Sequence, residues 1–233
     1  MFQHHKQVRV SDAAAELGTA VSTAHRLMSG LARHGFVEQD RATRAYVAGP
    51  VLTDIGLSVV QDMDIRVTLR PYMETLCRDV GETIQLMVLH RADIQFVASV
   101  ETTKALRTAS RLGQTMPAHC SSGGKVLLAE LGPGELRRLY PSGRLPSRTV
   151  RSITDLSVLE AELARVRRRG YGTSDGEGEP DVAAVAVVLR DSAGNARAAL
   201  AASGPRSRLR GRGIPSAAEA LQWVADEVVS LLV

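Results

Sequence analysis

The stretch SDAAAELGTAVSTAHRLMSGLARH, Ser11 to His34, restricts the fold more than any other part of the chain. Ser11 is a suitable N-cap for an Ala-rich helix ending near Leu17. Gly18 can take the left-handed conformation that a sharp inter-helix turn requires. The next cap is open between Thr19 and Ser22, since Ala20 caps poorly, and Gly35 closes the second helix. In that helix Ala24, Leu27, Met28 and Leu31 recur at i, i+3, i+4, i+7, an apolar stripe. Ser22, His25, Arg26, Ser29 and Arg33 share the other side, which carries donors and no acid. Such a face, on a helix following a tight turn, suits a DNA groove.

FVEQD and AYVAG flank the basic tip RATR, a hairpin pattern with Arg41 and Arg44 at the tip. Helix-turn-helix followed by basic hairpin is the order of a winged helix, whose wing reaches phosphates or the minor groove. Periodicity alone leaves a plain helical hairpin as an equal alternative. Ser22, Thr23, His25, Arg26, Arg41 and Arg44 are the DNA-contact candidates. Arg26 is the strongest of them, for a guanine or a phosphate.

A chain of 233 residues makes one or two domains with a sizeable core, and 44% hydrophobic with 23% charged residues is ordinary for a soluble globular protein. The longest clean apolar run, Val182 to Leu189, falls short of the ~20 residues of a membrane helix. MFQHHKQVRV has no apolar stretch of a signal peptide, so a cytoplasmic location is expected. Cys77 and Cys120 stand far apart without CxxC spacing, which disfavours a disulfide framework or structural zinc. The net charge of +4 permits a nucleic-acid partner without requiring one.

Leu52, Ile55 and Val59 are at helical spacing in Pro50 to Val60, a stripe suited either to its own domain or to another chain. Ile65, Leu69, Met73, Leu76 and Val80 form a second helical side, which Pro71 is expected to kink or split. From Glu82 the pattern changes. TIQLMVLH and IQFVASV read as strands around the turn RAD, and VAAVAVVL and ARAALAAS as strands around DSAGN. PAHCSSGGKVLLAEL reads as a loop opening a helix, and Thr154 as the N-cap of DLSVLEAELARVRRRG. TSDGEGEPD reads as polar loop, and Pro215 to Val233 as a closing helix. Strands mixed with flanking helices imply an α+β sensor-like domain.

Three motifs carry a family resemblance over nearly the whole chain. STAHRLMSGLARHGFVEQD, GQTMPAHCSSGGKVLLA and RRRGYGTSDGEGEPDVAAVAVVLRDSAG resemble the recognition helix, pocket floor and C-terminal signature of the IclR family of bacterial transcriptional regulators. The resemblance implies a winged helix-turn-helix over 1–49, a linker helix over 50–63, and over 64–233 a GAF-like effector-binding domain with a mixed sheet flanked by helices. It further implies binding of double-stranded operator DNA as a homodimer or homotetramer, and a small carboxylate or aromatic acid as effector. Two positions depart from the family pattern. Only ten residues precede Ser11, where members carry a full first helix, so a truncated first helix is an expectation. Arg190 replaces an aromatic residue or histidine, a change expected to affect packing.

The resemblance places the effector's carboxylate at the loop before VLLAEL, with Ser121, Ser122 and Gly123 in contact. There small residues expose N–H groups at a helix N-terminus, which favours an anion. It adds Ser174 and Asp175 on a second wall, Ala184 where members often have cysteine, and Ala201 and Ser203 where they often have two serines. Alanine at two of these positions implies a larger or more apolar acid than a two- or three-carbon keto acid. Asp175 and Glu177 can also be read as an exposed acidic loop. SSGGK is no P-loop, because no glycine lies at the required distance upstream and Val126 replaces the magnesium-binding hydroxyl. His119 and Cys120 lack a partner set for metal or nucleophilic catalysis, so no cofactor, metal or enzymatic step is expected. Two alternatives stay open: a sensor with impaired DNA binding, and a small-molecule enzyme on the C-terminal domain.

Overall fold

The computed structural model describes residues 7–40, 43–209, 211 and 213–232, and for 56–64 the backbone alone. The chain divides into two compact units, Met1–Asp64 and Ile65–Val233.

The first unit contains α1 (Val10–Leu17), α2 (Val21–Arg33), β1 (Val37–Gln39) and β2 (Tyr46–Ala48), and α3 (Pro50–Val80) begins in it. Ser11 does not cap α1. The cap lies two residues earlier, at Arg9, which is extended and whose backbone N–H donates to the Asp12 carboxylate at 3.3 Å. Gly18 ends α1 at φ 60°, the left-handed turn expected of it. Ala20 holds the cap position of α2 without a side-chain bond, so neither Thr19 nor Ser22 serves there. β1 and β2 pair antiparallel, and Val8 adds an isolated bridge to Tyr46. Val8, Ala13, Ala14, Ala24, Met28, Val37 and Tyr46 form the core. The stripe on α2 is only half used: Leu27 and Leu31 stay 49% and 43% exposed. The small Ala13 and Ala14 of α1 and the hairpin cover Ala24 and Met28, and no other described element of this unit covers the adjoining leucines.

Helix α3 runs unbroken to Val80 with Pro71 inside it, so the proline does not split it. From Ile65 onward its buried residues Ile65, Leu69, Met73 and Leu76 belong to the second unit. That unit is built on a six-stranded sheet of order β5-β4-β3-β8-β7-β6. Its strands are β3 (Thr83–His90), β4 (Asp93–Val100), β5 (Thr115–Pro117), β6 (Gly172–Asp175), β7 (Val182–Arg190) and β8 (Ala196–Pro205). The sheet expected to be mixed has antiparallel pairing at every described ladder.

Strand alternation divides the core between two faces. Ile84, Leu86, Val185, Val187, Leu200 and Ala202 pack with α3 and α7 (Gly213–Glu227). Met87, Phe96, Ala186, Ala199 and Ala201 pack with α4 (Ser122–Glu130) and α6 (Leu156–Arg169), and α5 (Pro133–Leu139) contributes Leu136. Asp155 rather than Thr154 caps α6, accepting from the Ser157 N–H at 2.8 Å. The closing helix is shorter than its sequence pattern, with a 3₁₀ turn at Val229–Leu231 after it. Arg190 contacts Glu130 at 2.6 Å, joining the end of β7 to that of α4.

Candidate functional site

The α4 face of the sheet leaves a cavity of about 420 Å³, open mouth included. Ser121, Ser122, Ser174, Ala184, Ala201 and Ser203 line it, although they come from four separate parts of the chain. Register explains their convergence. Ser174 lies opposite Ala184, Ala184 opposite Ser203, and Ser203 opposite Thr83, while Ala201 lies between Ala186 and Gln85. On antiparallel strands, directly opposed residues project to the same face.

Over this face sits the start of α4. Ser121 caps it, accepting the Gly124 N–H at 2.9 Å and donating to the Ala118 carbonyl at 3.2 Å. The N–H groups of Ser122 and Gly123 in the first turn have no acceptor within the helix. The first turn of α4 packs closely on the preceding 3₁₀ turn (Ala118–Cys120) and on β6 because a glycine allows each approach. A Cβ on Gly124 would stand 2.1 Å from the Ala118 carbonyl oxygen, and one on Gly172 2.5 Å from that of Ser122.

Two of the expected contact residues are not among those lining the cavity. Gly123 does not line the cavity: its Cα is turned to the core, where a Cβ would stand 2.6 Å from the Met87 methyl. Asp175 does not line it either, since alternation along β6 that points Ser174 inward turns Asp175 away. Its carboxylate accepts two hydrogen bonds from the Arg206 guanidinium, at 2.5 and 3.1 Å. The Ser174 hydroxyl donates to the Cys120 carbonyl at 3.1 Å, tying β6 to the segment before α4.

Several cavity residues carry no sequence signal that the motifs expose. Gln85, Met87, Phe96, Thr108 and Arg111 come from β3, β4 and the segment 101–111. Arg111, its side chain 14% exposed, stands 5.8 Å over the Phe96 ring and ion-pairs with Glu179. Lys125 is 2% exposed, donates to the Thr173 carbonyl at 3.0 Å and contacts both Glu177 oxygens at 2.6 and 2.7 Å. Glu177 is therefore no part of an exposed acidic loop. Burial pushes its carboxyl pKa up, and Lys125 draws it back. A lysine between Gly-Gly and the apolar run VLLAEL was the available signal, because a buried ammonium needs an acid partner.

Cys120 lines the cavity, and burial raises its thiol pKa, the reverse of what a nucleophile needs. His119 is fully buried, its Nε2 2.9 Å from the Pro146 carbonyl, and burial lowers its pKa. Among the described residues no group of three or more His, Cys, Asp or Glu side chains is placed to hold a metal.

In the first unit, Ser22, His25 and Arg26 are exposed on α2 and Thr23 is half-buried. Arg44 is exposed on the hairpin at φ 57°, in a turn held by Asp40 accepting the Thr43 N–H at 2.7 Å. Arg41 lies outside the described residues. Among the described residues no helix is long and apolar enough to cross a membrane.

Comparison with known proteins agrees with both units. Residues 1–41 match the IclR helix-turn-helix domain, and 57–230 the bacterial transcriptional regulator IclR C-terminal family. The regulator BhcR of Paracoccus denitrificans is 30% identical over 219 residues, 94% of this chain and 78% of that protein. XynR of Escherichia coli is 30% identical over 216 residues, 93% of this chain and 86% of that one. Thermotoga maritima IclR superposes with TM-score 0.69 at 27% identity, covering 99% of this chain and 93% of the other. An IclR homologue from Microbacterium hydrocarbonoxydans, solved with 4-hydroxybenzoate, superposes with TM-score 0.66 at 26% identity, covering 97% and 91%. With both family regions matched in order along the chain, this protein belongs to the IclR family of bacterial transcriptional regulators.

Proposed function

We propose that this regulator binds double-stranded operator DNA as a homo-oligomer through α2 and the hairpin, and that a small organic acid in the cavity sets its operator affinity. The observation that carries the reading is the first turn of α4 in the cavity wall. Ser121 and Ser122 line the space, and the Ser122 N–H, which has no acceptor within the helix, and the helix dipole favour a carboxylate there. Met87, Phe96, Met116, Val182, Ala184 and Ala201 suit an apolar body on that carboxylate. Alanine at 184 and 201 favours a larger acid over a two- or three-carbon keto acid. On α2 the exposed Ser22, His25 and Arg26, with Thr23 beside them, read the groove, while Arg41 and Arg44 reach phosphates. No enzymatic step is part of this reading, and its setting is the cytoplasm.

The test is a gel-shift titration on the promoter region of the protein's own gene, with and without acids that raise its melting temperature. Operator affinity should change severalfold or more with the acid that stabilises most; binding unmoved by every stabilising acid would refute the coupling. A second reading, a sensor with weak DNA affinity, is favoured by the exposure of Leu27 and Leu31 on α2. A helix covered along half its apolar stripe is held less firmly for docking. Absence of a shifted band with any promoter fragment would decide for it.

A further inference from the structure

The cavity has a second polar region, distinct from the α4 terminus. Gln85 on β3 and Thr108, in the segment between β4 and β5, both line it. They are 3% and 6% exposed, and neither Gln85 Nε2 nor Thr108 Oγ1 has a hydrogen-bond partner among the described residues. Most buried polar side-chain atoms in folded proteins have a partner, and leaving one without costs its full desolvation. Two such atoms on the wall of one cavity are hydrogen-bonding capacity reserved for an occupant.

Both groups are held in place. The Gln85 amide is fixed at its other end, where Oε1 accepts from the Ser203 hydroxyl at 3.2 Å. Thr108 is pinned beside β3 by its own carbonyl, which accepts from the Thr83 hydroxyl at 2.7 Å. Thr83 lies two positions from Gln85 on the same face of the strand. The amide nitrogen needs an acceptor, and the threonine hydroxyl can accept or donate. A ligand hydroxyl suits both needs, since its oxygen can accept from Gln85 and its proton can be donated to Thr108. A methyl group or ring edge in that position leaves both unpaired.

We infer that the effector is a hydroxy acid, and that Gln85 and Thr108 are the residues that read its hydroxyl. This rests on the reading of the cavity as an acid site, with the carboxylate at α4. The inferred ligand therefore carries its hydroxyl away from its carboxylate, with an apolar spacer along Met87 and Phe96.

Calorimetry with matched probes tests it: benzoate against the three hydroxybenzoate isomers, and hexanoate against its terminal-hydroxy counterpart. In the wild-type protein at least one hydroxylated probe should bind roughly tenfold or more tighter than its parent acid, the worth of one good buried hydrogen bond. The Gln85→Met, Thr108→Val variant should bring that pair within about twofold by weakening the hydroxylated acid and sparing the parent. Its unliganded melting temperature should equal or exceed that of wild type, since two orphaned polar groups are gone. Parent and hydroxylated acids binding alike to wild type would overturn the inference and leave the acid site standing. So would a preference that survives in the double variant. If no acid binds wild type at all, the acid site fails and the inference with it. Should the double variant fail to fold, the wild-type comparison decides alone.

Discussion

Arg26 and Arg44 are both exposed arginines of the first unit, yet their settings predict different losses. Arg26 projects from a helix, a rigid base from which a guanidinium can meet guanine in two parallel bonds, worth ~1–3 kcal/mol of discrimination. Arg44 sits on a hairpin tip, suited to phosphate. Arg26→Ala should cut preference for the operator over random DNA by about tenfold or more. Arg44→Ala should weaken all sequences alike and lower the slope of log affinity against log salt by about 1. Gel shifts across a salt series measure both, and unchanged binding in the two variants would contradict the docking. His119 gives a residue-scale prediction of another kind. Burial holds its folded pKa below the ordinary 6.5, so the unfolded chain takes up a proton first as pH falls. Stability should therefore be full above pH 6.5 and decline as pH drops below it, toward the folded pKa. Asp93 and Lys125 act on this ring with opposite signs, and Tyr140 meets it edge-on at 6.0 Å. Thermal unfolding followed between pH values on either side of 6.5 should show this slope, and His119→Gln should flatten it.

Between elements, the contact of α4 with the sheet decides whether a cavity exists. Gly172→Ala places a methyl against the Ser122 carbonyl and 2.9 Å from the Val126 side chain. Overpacking of this kind costs about 1–3 kcal/mol, and here it pushes away the turn that would hold the acid. The variant should fold with a lower melting temperature and lose the further stabilisation that acids give to wild type. Gly134→Ala is the control, since nothing stands within 4 Å of its Cβ and alanine favours a helix by about 0.5–1 kcal/mol. A full acid-induced shift in Gly172→Ala would show that the α4 turn is not the anion site. Helix α3 shows the limit of a local rule: proline removes one backbone donor and crowds one carbonyl, yet Leu69 and Met73 are wholly buried around Pro71. Packing on the sheet outweighs a local penalty of ~3 kcal/mol.

For the whole molecule the testable quantity is the coupling between acid and operator. Couplings of this kind run ~1–3 kcal/mol and are reciprocal, so the factor by which acid changes operator affinity must equal the factor by which operator changes acid affinity. Titrating acid into the protein with and without saturating operator duplex, beside the reverse titration, checks both arms. Affinities unchanged in both arms would rule out coupling between acid and operator. Helix α3 begins in one unit and ends in the other, which makes it the covalent element that such coupling has available.

Much of this architecture was readable from residue order. Helices and strands follow periods of 3.6 and 2, which side-chain hydrophobicity writes directly into a sequence, so α1, α2, β3, β7 and β8 were visible there. The polar loop TSDGEGEPD hid β6, because a four-residue edge strand of Gly, Thr, Ser and Asp has no apolar alternation to announce it. The stripe of α2 is helical as read, and only half of it is buried, because burial depends on which neighbours are present to cover Leu27 and Leu31. Ser122, Ser174 and Ser203, singled out by the family motifs, line the cavity. Only strand register and the Thr83 anchor brought Gln85 and Thr108 to the same space, and only the packing of α4 turned Gly123 from the cavity into the core. Local pattern is a property of neighbours along the chain; a pocket, a buried ion pair or an orphaned donor exists between residues that sequence keeps far apart.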